Sequence, residues 1–186
     1  MRTVTHTQTI RTFDELELHE QQKVLEDQYY INVDYDWWDS TYDDAAQIGL
    51  KITAFDLGRA NYVKGEFIHS PIDVAERILK EHGEQCETYK TTANYLHEFD
   101  ILFSQLEADM LSWPGDARDW DAITYYETDP EDLEDLNNEF LKSLCEDYRI
   151  ILRDEYDYLT TQEAIRETIE SNEYEFDEKL KIYSGM

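Results

Sequence analysis

The sequence predicts an α+β fold, mostly helical, with a small antiparallel β-sheet. Three observations lead there. Apolar residues step by three and four over most of the chain, as on the buried face of a helix. Between about 50 and 69 the step falls to two, as in half-buried strands. Only six Gly and three Pro interrupt the 186 residues. A formal charge of −28 would by itself suggest disorder, but 41% hydrophobic and 13% aromatic residues supply the area for one sizeable core. Residues 1–11 read as a frayed start, and 12–186 as a single compact acidic domain.

The elements follow in order. Thr12-x-x-Glu15 has the form of a capping box and predicts a helix to about Tyr29, burying Phe13, Leu16, Val24 and Leu25. Asp39 or Ser40 opens a short helix through Tyr42, Ala45, Ala46 and Ile48, closed by Gly49. Leu50, Ile52 and Ala54 alternate with Lys51, Thr53 and Phe55, and Tyr62 to His69 is rich in strand formers, so 50–69 predicts a hairpin. Ser70-Pro71 starts a helix with proline at its first position, and Gly83 ends it. Cys86, Tyr89, Ala93, Leu96, Phe99, Phe103, Leu106 and Met110 mark a long helix stopped at Trp113-Pro114-Gly115. A further helix follows Asp129-Pro130 with Leu133, Leu136, Phe140 and Leu144 inward, continued by Tyr148, Ile151, Leu152 and Tyr158. Thr160-x-x-Glu163 caps a last helix through Ala164, Ile165 and Ile169, and 174–182 offers the hairpin a third strand.

Charge bounds the partners. Residues 98–178 carry 26 acids and five bases, whereas 1–97 carry 18 and nine. Nucleic acid and anionic membrane are repelled, and a basic, nucleic-acid-handling protein is attracted. Glu127, Asp129, Glu131, Asp132, Glu134, Asp135 and Glu139 flank an apolar stripe, so they are expected to face water; Glu146, Asp147, Asp154, Glu155 and Asp157 continue the series. A globule of this length is about 40 Å across, and that length of duplex carries on the order of 24 phosphates, so the charges are comparable. Solubility explains the same acids, but their uneven distribution argues against uniform adaptation to salt. Within Tyr29–Trp38, Trp37 and Trp38 are adjacent, which directs one to packing and the other to a surface. With Tyr35 they are candidate partner anchors, since Trp and Tyr dominate interface energetics.

Catalytic and metal signatures are missing. Asp34-x-Asp36-x-x-Asp39 lacks the glycine and third ligand of a calcium loop, and Asp119-x-Asp121 fails likewise. The five histidines form no ligand pair, and Cys86 and Cys145 sit at apolar helix positions as small core residues. No nucleophile elbow, phosphate loop or dinucleotide fingerprint occurs. The expected sets of catalytic residues, metal ligands and cofactors are therefore empty. The N-terminus lacks a signal-peptide core, and two unpaired cysteines fit a reducing cytoplasm.

The stretches Val33–Trp38, Ile48–Leu57 and Gly65–Phe67, with the tail Ala164–Phe176, resemble a family of small, acidic, largely uncharacterised phage and prophage proteins. Some members carry an automatic label as antitoxins. In composition the chain is also similar to phage proteins that mimic DNA, including anti-restriction and anti-CRISPR inhibitors. The resemblance implies a mobile-element origin and a counter-defence role in the host cytoplasm. The leading expectation is a non-enzymatic inhibitor whose acidic, DNA-like face binds a basic host defence protein. The alternatives are an antitoxin that neutralises a basic toxin through a fitted interface, and a carboxylate metal-dependent enzyme.

Overall fold

In a computed structural model, residues 7–112 and 130–183 are described, with backbone alone for 105–112, 130 and 131. They form six helices and two two-stranded antiparallel sheets, arranged as two compact units.

The first unit comprises the described residues up to Trp38 and those from Arg153. Strand β1 (Arg11–Thr12) leads into a 3-10 turn at Phe13–Glu15 and then helix α1 (Leu18–Asp27). The Thr12 motif therefore caps a single turn, not a long helix. Glu15 accepts from the Thr12 N–H, and Glu20 repeats the device on the Glu17 N–H to start α1. Glu20 also takes both guanidinium nitrogens of Arg11 at 2.7 and 2.8 Å. The Arg11 bond, then the Glu17 N–H, hold its carboxyl down at about 2.

The last helix of the chain, Gln162–Ser171, packs on α1 in this unit, and strand Glu175–Phe176 follows it. Its N-cap is Thr161, whose hydroxyl accepts from the Ala164 N–H. Thr160, the expected cap, donates its hydroxyl back to the Tyr156 carbonyl instead. The tail strand exists, but it does not extend the hairpin: Arg11 pairs with Phe176 and Thr12 with Glu175, and Phe176 also bridges Ile182. Alternation assigns faces to a strand and leaves its partner open. Phe176 is set by burial with Phe13, Leu16, Val24, Leu25, Ile165 and Ile169.

The second unit spans Asp39–Leu152. Helix α2 (Asp39–Ile48) ends at Gly49, whose φ of +90° and 2.7 Å approach of a would-be Cβ to the His69 ring admit no side chain. Strands β2 (Leu50–Asp56) and β3 (Tyr62–Phe67) form the expected hairpin, Leu50 opposite Phe67, with a register shift between Ile52 and Ala54. The tail strand Glu175–Phe176 is thus β4. Helix α3 (Pro71–Glu81) is capped by Ser70, which accepts from the Asp73 N–H; it ends before Gly83, at His82. Helix α4 (Glu87–Ser112) begins one residue after Cys86, which is exposed and not the core residue its spacing suggested.

Helix α5 (Pro130–Leu159) is a single run of 30 residues, and Gln162–Ser171 becomes α6. Its buried line is Phe140, Leu144, Tyr148 and Leu152; Leu133 and Leu136 are half-buried. Ile151 and Tyr158, expected inward, are exposed, because a line of four-residue steps leaves position 151 about 100° to its side. Asp147 faces Thr91, whereas Phe140 and Asn137 both meet Tyr95, so the order along the two helices is opposite and α4 and α5 are antiparallel. Their side chains join Ala45, Ile48, Leu50, Ile52, Val74, Ala75 and Ile78 in one core.

Leu144→Ala should lower the unfolding free energy by about 2–5 kcal/mol, as for fully buried leucines. Leu136→Ala should cost less, being half-buried. Urea denaturation of the two variants checks the order.

Candidate functional site

The seam between α4 and α5 positions most of the described acidic candidates. Tyr95 stacks on Phe140 with centroids 4.0 Å apart and planes 8° from parallel, and its hydroxyl donates to Asn137 Oδ1 at 2.8 Å. Burial pushes the Tyr95 hydroxyl up to about 12, so it remains a donor. With the apolar side of α5 fixed against α4, Asp132, Glu134, Asp135 and Glu139 are turned to solvent. Glu98 of α4 lines a shallow groove of about 220 Å³ together with Leu136 and Glu139. Asp132 and Glu98 both line the adjoining depression.

Not every expected carboxylate is equivalent. Glu139 is paired with Lys142 at 3.2 Å, and Glu146 with Arg149 at 2.6 Å, so each is partly neutralised by its own helix. Asp147 is a correction: it turns inward and is half-buried, and its Oδ2 is enclosed without a hydrogen-bond partner among the described residues. Burial raises its pKa, against a hydrogen bond from Thr91. The helical step explains this, since 147 neighbours 144 and 148 on the packed side. Asp154, Glu155 and Asp157 are exposed, but they belong to the first unit. Glu127 and Asp129 lie outside the described residues, as does the Glu131 side chain.

A polar cluster beneath the seam escaped the sequence reading. The buried Tyr148 hydroxyl donates to Asp44 Oδ2 at 2.7 Å. His82 Nε2 lies 3.5 Å from Asp44 Oδ1, and its Nδ1 lies 2.7 Å from Thr88 Oγ1. The bond to His82, then that from Tyr148, lower the Asp44 pKa, while burial first and Asp44 second raise that of Tyr148. The order hydroxyl, imidazole, carboxylate is that of an acyl-transfer triad. Thr88, however, is only 3% exposed, so its oxygen meets no substrate, and the cluster ties α2, α3, α4 and α5 together. The one signal in the sequence was a tyrosine on an otherwise apolar line, whose hydroxyl must find a partner when buried.

The candidate anchors lie in the first unit. Tyr35 is 61% exposed, and Trp37 and Trp38 are both half-buried, meeting edge to face at 5.7 Å. Both rings are thus part-packed, instead of one buried and one free. Among the described residues, no three His, Cys, Asp or Glu side chains converge to hold a metal ion, and no helix is long and apolar enough to cross a membrane. Comparison with protein-family models, curated proteins and solved structures finds no match.

The two inward carboxylates predict opposite pH effects. Asp44 is depressed, so its stabilisation is present above the ordinary value of 3.8 and lost as pH falls through the lower folded value. Asp147 is raised, so its cost is present above the folded value and relieved as pH falls towards 3.8. Asp44→Asn should therefore destabilise at neutral pH. Asp147→Asn should stabilise there, by less than about 1 kcal/mol because the group is half-exposed and screened. Urea midpoints measured from neutral pH to below 3.8 should show the Asp147 difference gone by about that value and the Asp44 difference lost only beneath it.

Proposed function

We propose that the protein is a non-enzymatic binding protein of the cytoplasm, whose α5 face occupies the nucleic-acid site of a basic protein. The observation that carries this reading is the outward array Asp132, Glu134, Asp135 and Glu139, of which Glu139 alone is ion-paired among the described residues. These four carboxylates span seven helical steps, about 10 Å of helix. Duplex DNA of that length presents about six phosphates, so the charge density of the face is of the same order. Glu98 adds a further carboxylate across the groove. Such a face would be drawn to a groove lined by Lys and Arg, and its aromatic support at Tyr95 and Phe140 would keep it from collapsing on contact. A defence protein that handles nucleic acid is the partner class that the chemistry and the charge of −28 favour.

The test uses a basic partner recovered with the full chain and then purified. Its affinity should fall steeply with salt, and duplex DNA should compete for its site. The fourfold variant Asp132→Asn, Glu134→Gln, Asp135→Asn, Glu139→Gln should bind at least about tenfold more weakly with unchanged melting. A partner that holds DNA and this protein together, and tolerates the fourfold change, would overturn the reading in favour of a fitted antitoxin-like interface.

A further inference from the structure

In the first unit, a turn-rich segment and the end of α5 bring five aromatic rings together. Tyr29 and Tyr30 meet edge to face at 4.9 Å, and Trp37 meets Trp38 at 5.7 Å and Tyr156 at 5.8 Å. Tyr29 and Tyr30 lie close enough to Tyr156 to act on it electrostatically, which joins the two groups. Tyr30 is nonetheless 64% exposed and Tyr29 is also exposed, while Trp37, Trp38 and Tyr156 are half-buried, so the two tyrosines form the open edge of the cluster.

The surface is held rigid from below. Asn32, only 5% exposed, donates from Nδ2 to the Leu159 carbonyl at 3.0 Å and accepts at Oδ1 from the Thr168 hydroxyl at 2.7 Å. Backbone bonds from Ile31 to Gln28, Val33 to Tyr30 and Trp37 to Tyr35 fix the turns on either side. An array ordered before binding loses less entropy on contact.

Its charge names the ligand. Asp34 and Asp36 are exposed within the segment, and Asp157 acts electrostatically on Tyr156. No Lys or Arg occurs from Glu26 to Trp38, and the nearest base on α5, Arg153 one turn before Tyr156, is half-buried and already engaged. Electron-rich rings beside carboxylates attract cations, and a guanidinium both stacks on the rings and forks onto a carboxylate, which an ammonium cannot. The geometry points to a docking surface for an arginine-bearing peptide segment of a partner protein, centred on Tyr30, Trp37 and Tyr156 and flanked by Asp34, Asp36 and Asp157. This surface does not rest on the α5 face of the second unit.

The experiment is calorimetric titration of the full chain with blocked tetra-arginine and tetra-lysine peptides in about 0.3 M salt, where diffuse attraction to a charge of −28 is screened. Tetra-arginine should bind more tightly than tetra-lysine. Tyr30→Ala, at an exposed position, should weaken tetra-arginine binding about fivefold without changing melting, and Asp36→Asn should weaken it independently. The fourfold α5 variant should keep both the arginine preference and the dependence on Tyr30, which separates this surface from the DNA-like face. Equal binding of the two peptides, or tetra-arginine binding indifferent to Tyr30→Ala and Asp36→Asn, would overturn the proposal and reduce the attraction to net charge.

Discussion

Self-repulsion among acids is the constraint that the rest of this molecule answers. A chain at −28 must offset the cost of bringing its carboxylates together, and it does so with aromatic and aliphatic burial in place of many ion pairs. In the second unit the offset is concentrated where Tyr95 stacks on Phe140 and α5 lays Leu144 and Tyr148 into the core. In the first it rests on Phe13 and Phe176 with α1 and α6. The ion pairs that do form are mostly local and exposed, such as Lys90–Glu87 and Lys142–Glu139. They moderate charge between neighbours and add little to stability.

Much of this was legible where local chemistry determines local structure. Ser70-Pro71 starts α3, Gly49 closes α2, and the change of period at Leu50 announces the hairpin. Legibility failed where the deciding partner is distant. Phe176 carries its alternation into whichever strand it joins, and the choice of Arg11 lies 165 residues away. Tyr148 looks like one more apolar step until Asp44 supplies its acceptor from α2. Thr160 and Thr161 are interchangeable caps on paper, and Cys86 fits a helical step that starts one residue later.

The candidate surfaces were legible to different degrees for a related reason. Asp132, Glu134, Asp135 and Glu139 follow from the apolar stripe, because the opposite side of a packed helix must be wet. Asp147 follows the same rule from the other side, since it stands beside the buried Leu144 and Tyr148 on the packed face. Trp37 and Trp38 stand out in the sequence by their adjacency within Tyr29–Trp38, yet Tyr156, which meets Trp37 from α5, carries no signal in its own neighbourhood. Exposed acids reflect one helix, whereas an aromatic array reflects two segments meeting.

Asn32 gives the charge of this protein a boundary. Its amide is read at both ends, nitrogen towards the Leu159 carbonyl and oxygen towards the Thr168 hydroxyl. Aspartate has nearly the same shape, but when ionised it would set oxygen against oxygen at Leu159 and place a further negative charge out of reach of water. The surface tolerates acids almost anywhere, and at position 32 a single atom's change from nitrogen to oxygen would release the platform that the amide secures.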